Sequence, residues 1–193
     1  MKRHLFLTGP AGCGKSELLL SVLGVSLAGA GGFVTERSRE ADRLLRCSLL
    51  PAAAAGGVEG FEPLPFLDLS RTPPVHDNEV FREDGVRLLQ EAVWYPFSVL
   101  DSFGSFELLI PQFRQALAEL LSSDQPVAGV LLSRKEAEEL CGQLGLGDRV
   151  KQNISRLWEV LRADPDTLIV EASGISRRRA ERALEQWAQE YAR

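Results

Sequence analysis

Eight residues near the start of the chain, Gly9 to Ser16 (GPAGCGKS), match the spacing G-x-x-x-x-G-K-[ST] at every fixed position. Gly9, Gly12 and Gly14 let the backbone turn its N–H groups toward a bound anion, and let phosphate approach with no Cβ in the way. Pro10, Ala11 and Cys13 fill the free positions. Cys13 reads as a small residue there, the alternative being a thiol activated at a helix N-terminus. Lys15 is placed to reach the β- and γ-phosphates of a nucleotide, and the Ser16 hydroxyl to ligate Mg²⁺. An ordinary glycine-rich turn is the competing explanation. The flanks argue against it: His4 to Leu7 reads as a short apolar strand and Lys15 to Ala28 as an apolar helix, whose positive N-terminus faces the same anion.

A metal held by such a loop needs a carboxylate at the end of a neighbouring buried strand. The run YPFSVLDS offers Asp101 behind an apolar strand over Phe97 to Leu100, the alternative being an Asp that merely caps a strand end. Next to it stands Ser102, which cannot act as a general base at neutral pH. Glu107, a short turn further on, either reaches back to the γ-phosphate as a base or complements the dipole of the helix it opens. Ser16 and Asp101 are thus the expected metal ligands, and Lys15, Asp101 and Glu107 the candidates for catalysis. Arg177, Arg178, Arg179 and Arg182 crowd the first turns of the last helix. They form a solvated face balanced by pairs such as Arg177 with Glu181, or supply an arginine to base or phosphate. His4 and His76 have no partner pattern, and Trp94, Trp158 and Trp187 read as core.

The elements that must position these groups alternate along the chain. Gly32 to Thr35 and Leu44 to Leu50 are β-type runs joined by the charged stretch Glu36 to Arg43, which suggests a hairpin after the first helix. Residues 51 to 78, punctuated by proline and glycine, read as irregular and suited to a mobile loop. Helical spacing follows over Asn78 to Val93 and Leu108 to Leu121, then over Lys135 to Leu144, Val150 to Leu161 and Ser176 to Tyr191. Val127 to Leu132 and Thr167 to Val170 complete the apolar strands. The pattern predicts one α/β domain over 1–193, three-layered, with a mainly parallel central sheet. In such a sheet ligands sit at the carboxyl ends of the strands, so the loop, Asp101, Ser133 and Glu171 should share one rim.

Composition sets the outer limits. With 193 residues, 45% hydrophobic and 25% charged, the chain suits one domain that buries its own core. Three cysteines without paired spacing read as reduced thiols in a cytoplasmic protein. The apolar stretch after Met1 is too short for a signal peptide, and Leu18 to Ala30 too short and too polar for a membrane span. A formal net charge of −5 argues against nucleic acid and anionic membranes as partners, and leaves a protein partner open.

Three blocks taken together resemble the cancer-related nucleoside-triphosphatase family of small P-loop proteins: LFLTGPAGCGKS, GGFVTERSR and VLDSFGSFEL, spread over about residues 1–133. In the second block Gly32, Phe33, Thr35, Glu36 and Arg39 fit the family pattern, and Arg37 stands where a second glutamate is usual. In the third, Asp101, Gly104 and Glu107 fit, and Ser102 replaces a glutamate. The resemblance implies slow hydrolysis of ATP, GTP or other NTPs with Mg²⁺, and adds Glu36 and Arg39 to the nucleotide site. A nucleotide-binding regulator with negligible turnover and a small-molecule kinase are the alternatives, the first motivated by Ser102 and the second by the loop at 51–78.

Overall fold

The computed structural model describes residues 2–40 and 43–192. Strand β1 (His4–Thr8), buried at every position, ends in the glycine-rich turn, from which helix α1 (Lys15–Leu23) departs. The helix stops at Gly24, whose φ of 48° leaves the helical region, and a tighter 3₁₀ stretch carries the chain to Gly29. The expected helix to Ala28 is therefore divided at Gly24.

Strands β2 (Ala30–Glu40) and β3 (Arg43–Pro51) form the expected hairpin, but most of the charged stretch expected to join them is itself strand. Glu36 pairs with Ser48 and Arg37 with Cys47 in the antiparallel ladder. Up to Thr35, β2 is covered on both faces; beyond it the ribbon is partly or fully exposed and carries charge on both sides. Residues 41 and 42 of that stretch lie outside the described residues. Residues 51–78 are likewise more regular than expected, with a short helix α2 (Ala52–Ala55) and strands β4 (Leu64–Asp68) and β5 (Val75–His76). Pro65 inside β4 hid that strand, because proline reads as a strand breaker while a register slip accommodates it here.

Helical turns over Asn78–Trp94 begin with α3 (Asn78–Val80), pass through a wide turn at Phe81–Gly85, and include α4 (Val86–Glu91). Strand β6 (Phe97–Phe103) follows, then a 3₁₀ turn at Phe106–Leu109 and helix α5 (Pro111–Ser122). The rest is β7 (Val127–Leu131), α6 (Arg134–Gln143), α7 (Asp148–Ala163), β8 (Thr167–Glu171) and α8 (Arg177–Tyr191).

The described residues build one eight-stranded sheet in the order β5-β4-β3-β2-β6-β7-β1-β8. Pairings β2–β6, β6–β7, β7–β1 and β1–β8 are parallel, and β3 to β5 extend the sheet antiparallel. One face packs an aromatic-rich core of Phe6, Phe33, Phe81, Phe106 and Phe113 beneath α4 to α7. The other packs Leu5, Leu7, Leu19, Val99 and Trp187 beneath α1 and α8. This is the three-layered α/β architecture expected from the alternation. Trp158 and Trp187 are core, but Trp94 is 80% exposed. It closes a helical run just before Pro96, and its spacing imitates a buried position.

Candidate nucleotide site

Five parallel strands bring their carboxyl ends to one rim, and the loop from Gly9 to Ser16 lies across it. Leu18 N–H donates to the Gly14 carbonyl at 2.9 Å, starting α1 directly behind the loop. Gly14 is the N-cap at φ 83°, and a Cβ there would sit 2.8 Å from the Arg177 guanidinium. The dihedral requires glycine, whereas the close approach involves only the flexible end of the Arg177 side chain. Arg177 donates from Nη1 to the Cys13 carbonyl at 2.8 Å, so the first residue of α8 clamps the loop from outside. The Arg177 contact is thus to the loop backbone, and Arg178, Arg179 and Arg182 are exposed.

Lys15 is 6% exposed and fully engaged. Its Nζ donates to the carbonyls of Gly9 at 2.9 Å and Pro10 at 2.8 Å, and meets Glu136 Oε2 at 3.1 Å. Glu136 was invisible as a site residue because Ser133-x-x-Glu136 reads as a capping box. Half of that box forms: the Ser133 Oγ accepts from Glu136 N–H at 3.2 Å while the carboxylate turns to the loop.

Ser16 Oγ donates to Asp101 Oδ1 at 2.6 Å, so the loop hydroxyl and the strand carboxylate meet as expected. Asp101 has no exposed surface. Its counter-charge is Arg37, which the sequence marks only as a departure from the family pattern. Nη1 of Arg37 donates to Ser16 Oγ at 3.0 Å and lies 3.4 Å from Asp101 Oδ2; Nη2 donates to Ser102 Oγ at 2.7 Å and lies 3.5 Å from Asp101 Oδ1. Mg²⁺ at Ser16 and Asp101 does not fit these donors as they stand. An ion about 2 Å from Ser16 Oγ would lie within about 5 Å of Nη1, a repulsion of roughly 6 kcal/mol or more between dication and guanidinium at an effective dielectric near 20.

Glu107 is 2% exposed, and its carboxylate turns onto its own loop. Oε1 accepts from the N–H groups of Gly104 at 2.5 Å and Ser105 at 2.9 Å, and Oε2 from Ser105 Oγ at 2.8 Å. Of the two readings of Glu107, this geometry favours the helix-start role. Arg39 joins Arg37 and Arg43 on the wall of a cavity of about 620 Å³ that opens beside Gly12, Lys15 and Ser16 and reaches Phe66, Phe81 and Phe106. Glu36, expected beside Arg39, is exposed and absent from that wall. Alternation along β2 turns Thr35, Arg37 and Arg39 to one face and Glu36 to the other. Pro10 and Cys13 serve through their carbonyls. Cys13, Cys47 and Cys141 are free, and burial pushes the Cys47 thiol up to about 11 and that of Cys141 up to about 12.

The model of the NTPase family matches residues 4–154. The chain belongs to the NTPase family. The chain is 32% identical over 134 residues to the cancer-related nucleoside-triphosphatase homolog of Bos taurus, covering 63% of this chain and 70% of the relative. It is 29% identical over 129 residues to the nucleoside-triphosphatase THEP1 of Thermotoga petrophila, covering 66% and 70%. The crystal structure of THEP1 from Aquifex aeolicus shares the fold over 98% of this chain and 99% of that one, with a TM-score of 0.63 at 19% identity. The solution structure of a human cancer-related nucleoside triphosphatase gives 0.51 at 21% identity, over 84% and 98%. Divalent metal use is typical of the NTPase family. Among the described residues no helix is long and apolar enough to cross a membrane.

Proposed function

We propose that the chain binds a nucleoside triphosphate along Gly9–Ser16 and hydrolyses it slowly to the diphosphate and phosphate. The observation that carries this reading is Lys15, buried at the loop with its charged end on the Gly9 and Pro10 carbonyls, beside a cavity walled by further arginines. A phosphate chain entering the loop replaces Glu136 as the partner of Lys15. The loop amides and Lys15 then face the charge that develops on the transferred phosphoryl group. Asp101 orients Ser16 and Arg37 from below. Glu36 has no role in this reading, and Glu107 fixes the Gly104–Ser105 turn.

Slow turnover fits the engaged state of the described carboxylates that meet the loop lysine, the loop hydroxyl and the turn after β6. Ser102 stands beside Asp101 and accepts from Arg37, while Asp101, Glu107 and Glu136 are each held by donors of the chain itself. The same observation favours a second reading, a nucleotide-dependent regulator with negligible turnover. Mg²⁺, the metal expected for this chemistry, does not fit Ser16 and Asp101 as they are arranged. The three free thiols support a cytoplasmic setting.

Phosphate release measured with ATP, GTP, CTP and UTP tests the reading. Wild type should turn over several of them, and Lys15→Ala should lose at least about a hundredfold in kcat/KM, the usual scale for one donor to a developing anion. Binding without turnover in wild type favours the regulator. Unaltered behaviour of Lys15→Ala excludes the loop as the nucleotide site.

A further inference from the structure

We infer that Arg37 stands in for the divalent cation of this site, so that the chain binds nucleoside triphosphate without a metal ion. The inference rests on the reading of Gly9–Ser16 as a triphosphate cradle. In P-loop proteins the hydroxyl after the loop lysine and a carboxylate at a strand end hold Mg²⁺ against the β- and γ-oxygens. Here those two groups, Ser16 and Asp101, both face the guanidinium of Arg37. Its other amino group is held by Ser102 Oγ at 2.7 Å.

The arrangement is built into the sheet. Strand β2 runs parallel to β6 with Val34 opposite Asp101, and the Ser102 N–H donates to Thr35 Oγ1 at 3.3 Å. These contacts carry the β2 backbone past the carboxyl end of β6, where the side chain of Arg37 turns back over Asp101. Nη1 also donates to the Thr35 carbonyl at 3.3 Å, which fixes the fork to its own strand. Ser102 contributes a short hydroxyl that accepts from the guanidinium and adds no charge. Asp101 and Arg37 therefore sum to zero, −1 and +1, with no ion added. A Mg²⁺ ion would leave this pocket with two uncompensated positive charges before any phosphate arrived.

A guanidinium suits the vacated task in part. It stays protonated throughout the working pH range and presents a planar fork that binds phosphate oxygens in pairs. Being covalently attached, it loses no translational freedom on meeting the ligand. It carries one charge instead of two, and N–H to O contacts of about 2.8 Å are longer than Mg–O bonds of about 2.0 Å. Grip on the triphosphate survives the exchange, and neutralisation of the transferring γ-phosphoryl weakens. Binding and turnover are thereby separated in their dependence on metal.

Equilibrium titration with methylanthraniloyl-ATP, in EDTA and in millimolar Mg²⁺, tests the inference on the whole chain. Wild-type affinities in the two buffers should agree within about threefold, a small change on a scale where tenfold is about 1.4 kcal/mol. Arg37→Gln, which removes the charge and shortens the side chain but keeps an amide donor, should lose about tenfold in EDTA and recover part of it in Mg²⁺. Thermal melting checks that the variant folds, since Asp101 loses its cation; the wild-type comparison needs no variant. Wild-type binding that falls tenfold or more in EDTA overturns the inference and leaves the nucleotide site intact. No binding in either buffer overturns both, and an Arg37→Gln titration identical to wild type in both buffers overturns the inference alone.

Discussion

Lys15 decides what the loop does before a ligand arrives. Its ammonium has three donors, and the Gly9 carbonyl, the Pro10 carbonyl and Glu136 use all of them. Phosphate oxygens compete best against Glu136, because the carbonyls belong to the loop that will hold the ligand. Glu136, 21% exposed, is also a negative charge at the position an incoming phosphate must approach. Glu136→Gln should therefore tighten NTP binding several-fold, about 1 kcal/mol, the size expected for a partly exposed ion pair. The gain should shrink as salt is raised. Titration of the variant against wild type at two ionic strengths checks this; weaker binding instead would make Glu136 a contact of the ligand.

At the scale of elements, the site depends on how closely β2 lies against β6. Gly32, at φ 84°, is the point of closest approach: a Cβ there would lie 2.3 Å from the Val99 carbonyl oxygen. Gly32→Ala incurs left-handed strain of about 1–2 kcal/mol and overpacking of about 1–3 kcal/mol. A fall in Tm of at least roughly 4 °C is expected for a chain of this length. Because Arg37 rides on the same strand, nucleotide affinity should fall as well; calorimetry and titration together check both, and an unchanged Tm would show that β2 can move aside freely. Elements such as these were legible to very different degrees. β1, β6, β7 and β8 are continuous apolar runs between covered faces, and the eight-residue loop carries its chemistry in its spacing. The outer half of β2 carries charge on both faces and β4 contains Pro65, so neither shows alternation. Arg37 and Glu136 were legible as residues but not as site members, because their partners lie far off in sequence: Asp101 and Ser16 for one, Lys15 for the other.

The whole molecule closes around β1, the strand that delivers the loop. Arg3 bridges Asp124 and Asp166, and Trp187 of the last helix donates to the Arg3 carbonyl at 2.9 Å. His4 lies within this closure, 1% exposed, with Nε2 3.1 Å from the Leu121 carbonyl and Nδ1 buried without a partner. Burial holds its imidazole below its usual pKa, against the weaker opposing pull of the Leu121 carbonyl and of Asp164 and Asp166. A protonated ring would bring Nδ1–H into a place that offers it no acceptor. The unfolded chain thus takes up the His4 proton more readily than the folded one. Its contribution to stability is complete above the unfolded value of about 6.5 and is lost as pH falls below it toward the folded value. Asp164, held low against its burial by Thr167 Oγ and the Asp166 N–H, contributes in a separate window that opens only below about pH 4. Between about pH 6.5 and 4.5 the melting temperature of wild type should therefore decline, and His4→Leu, whatever its own stability, should flatten that decline. Melting curves of both proteins across this range check it. An equal slope in the two would place the titrating group outside β1 and release the strand from any part in acid sensitivity.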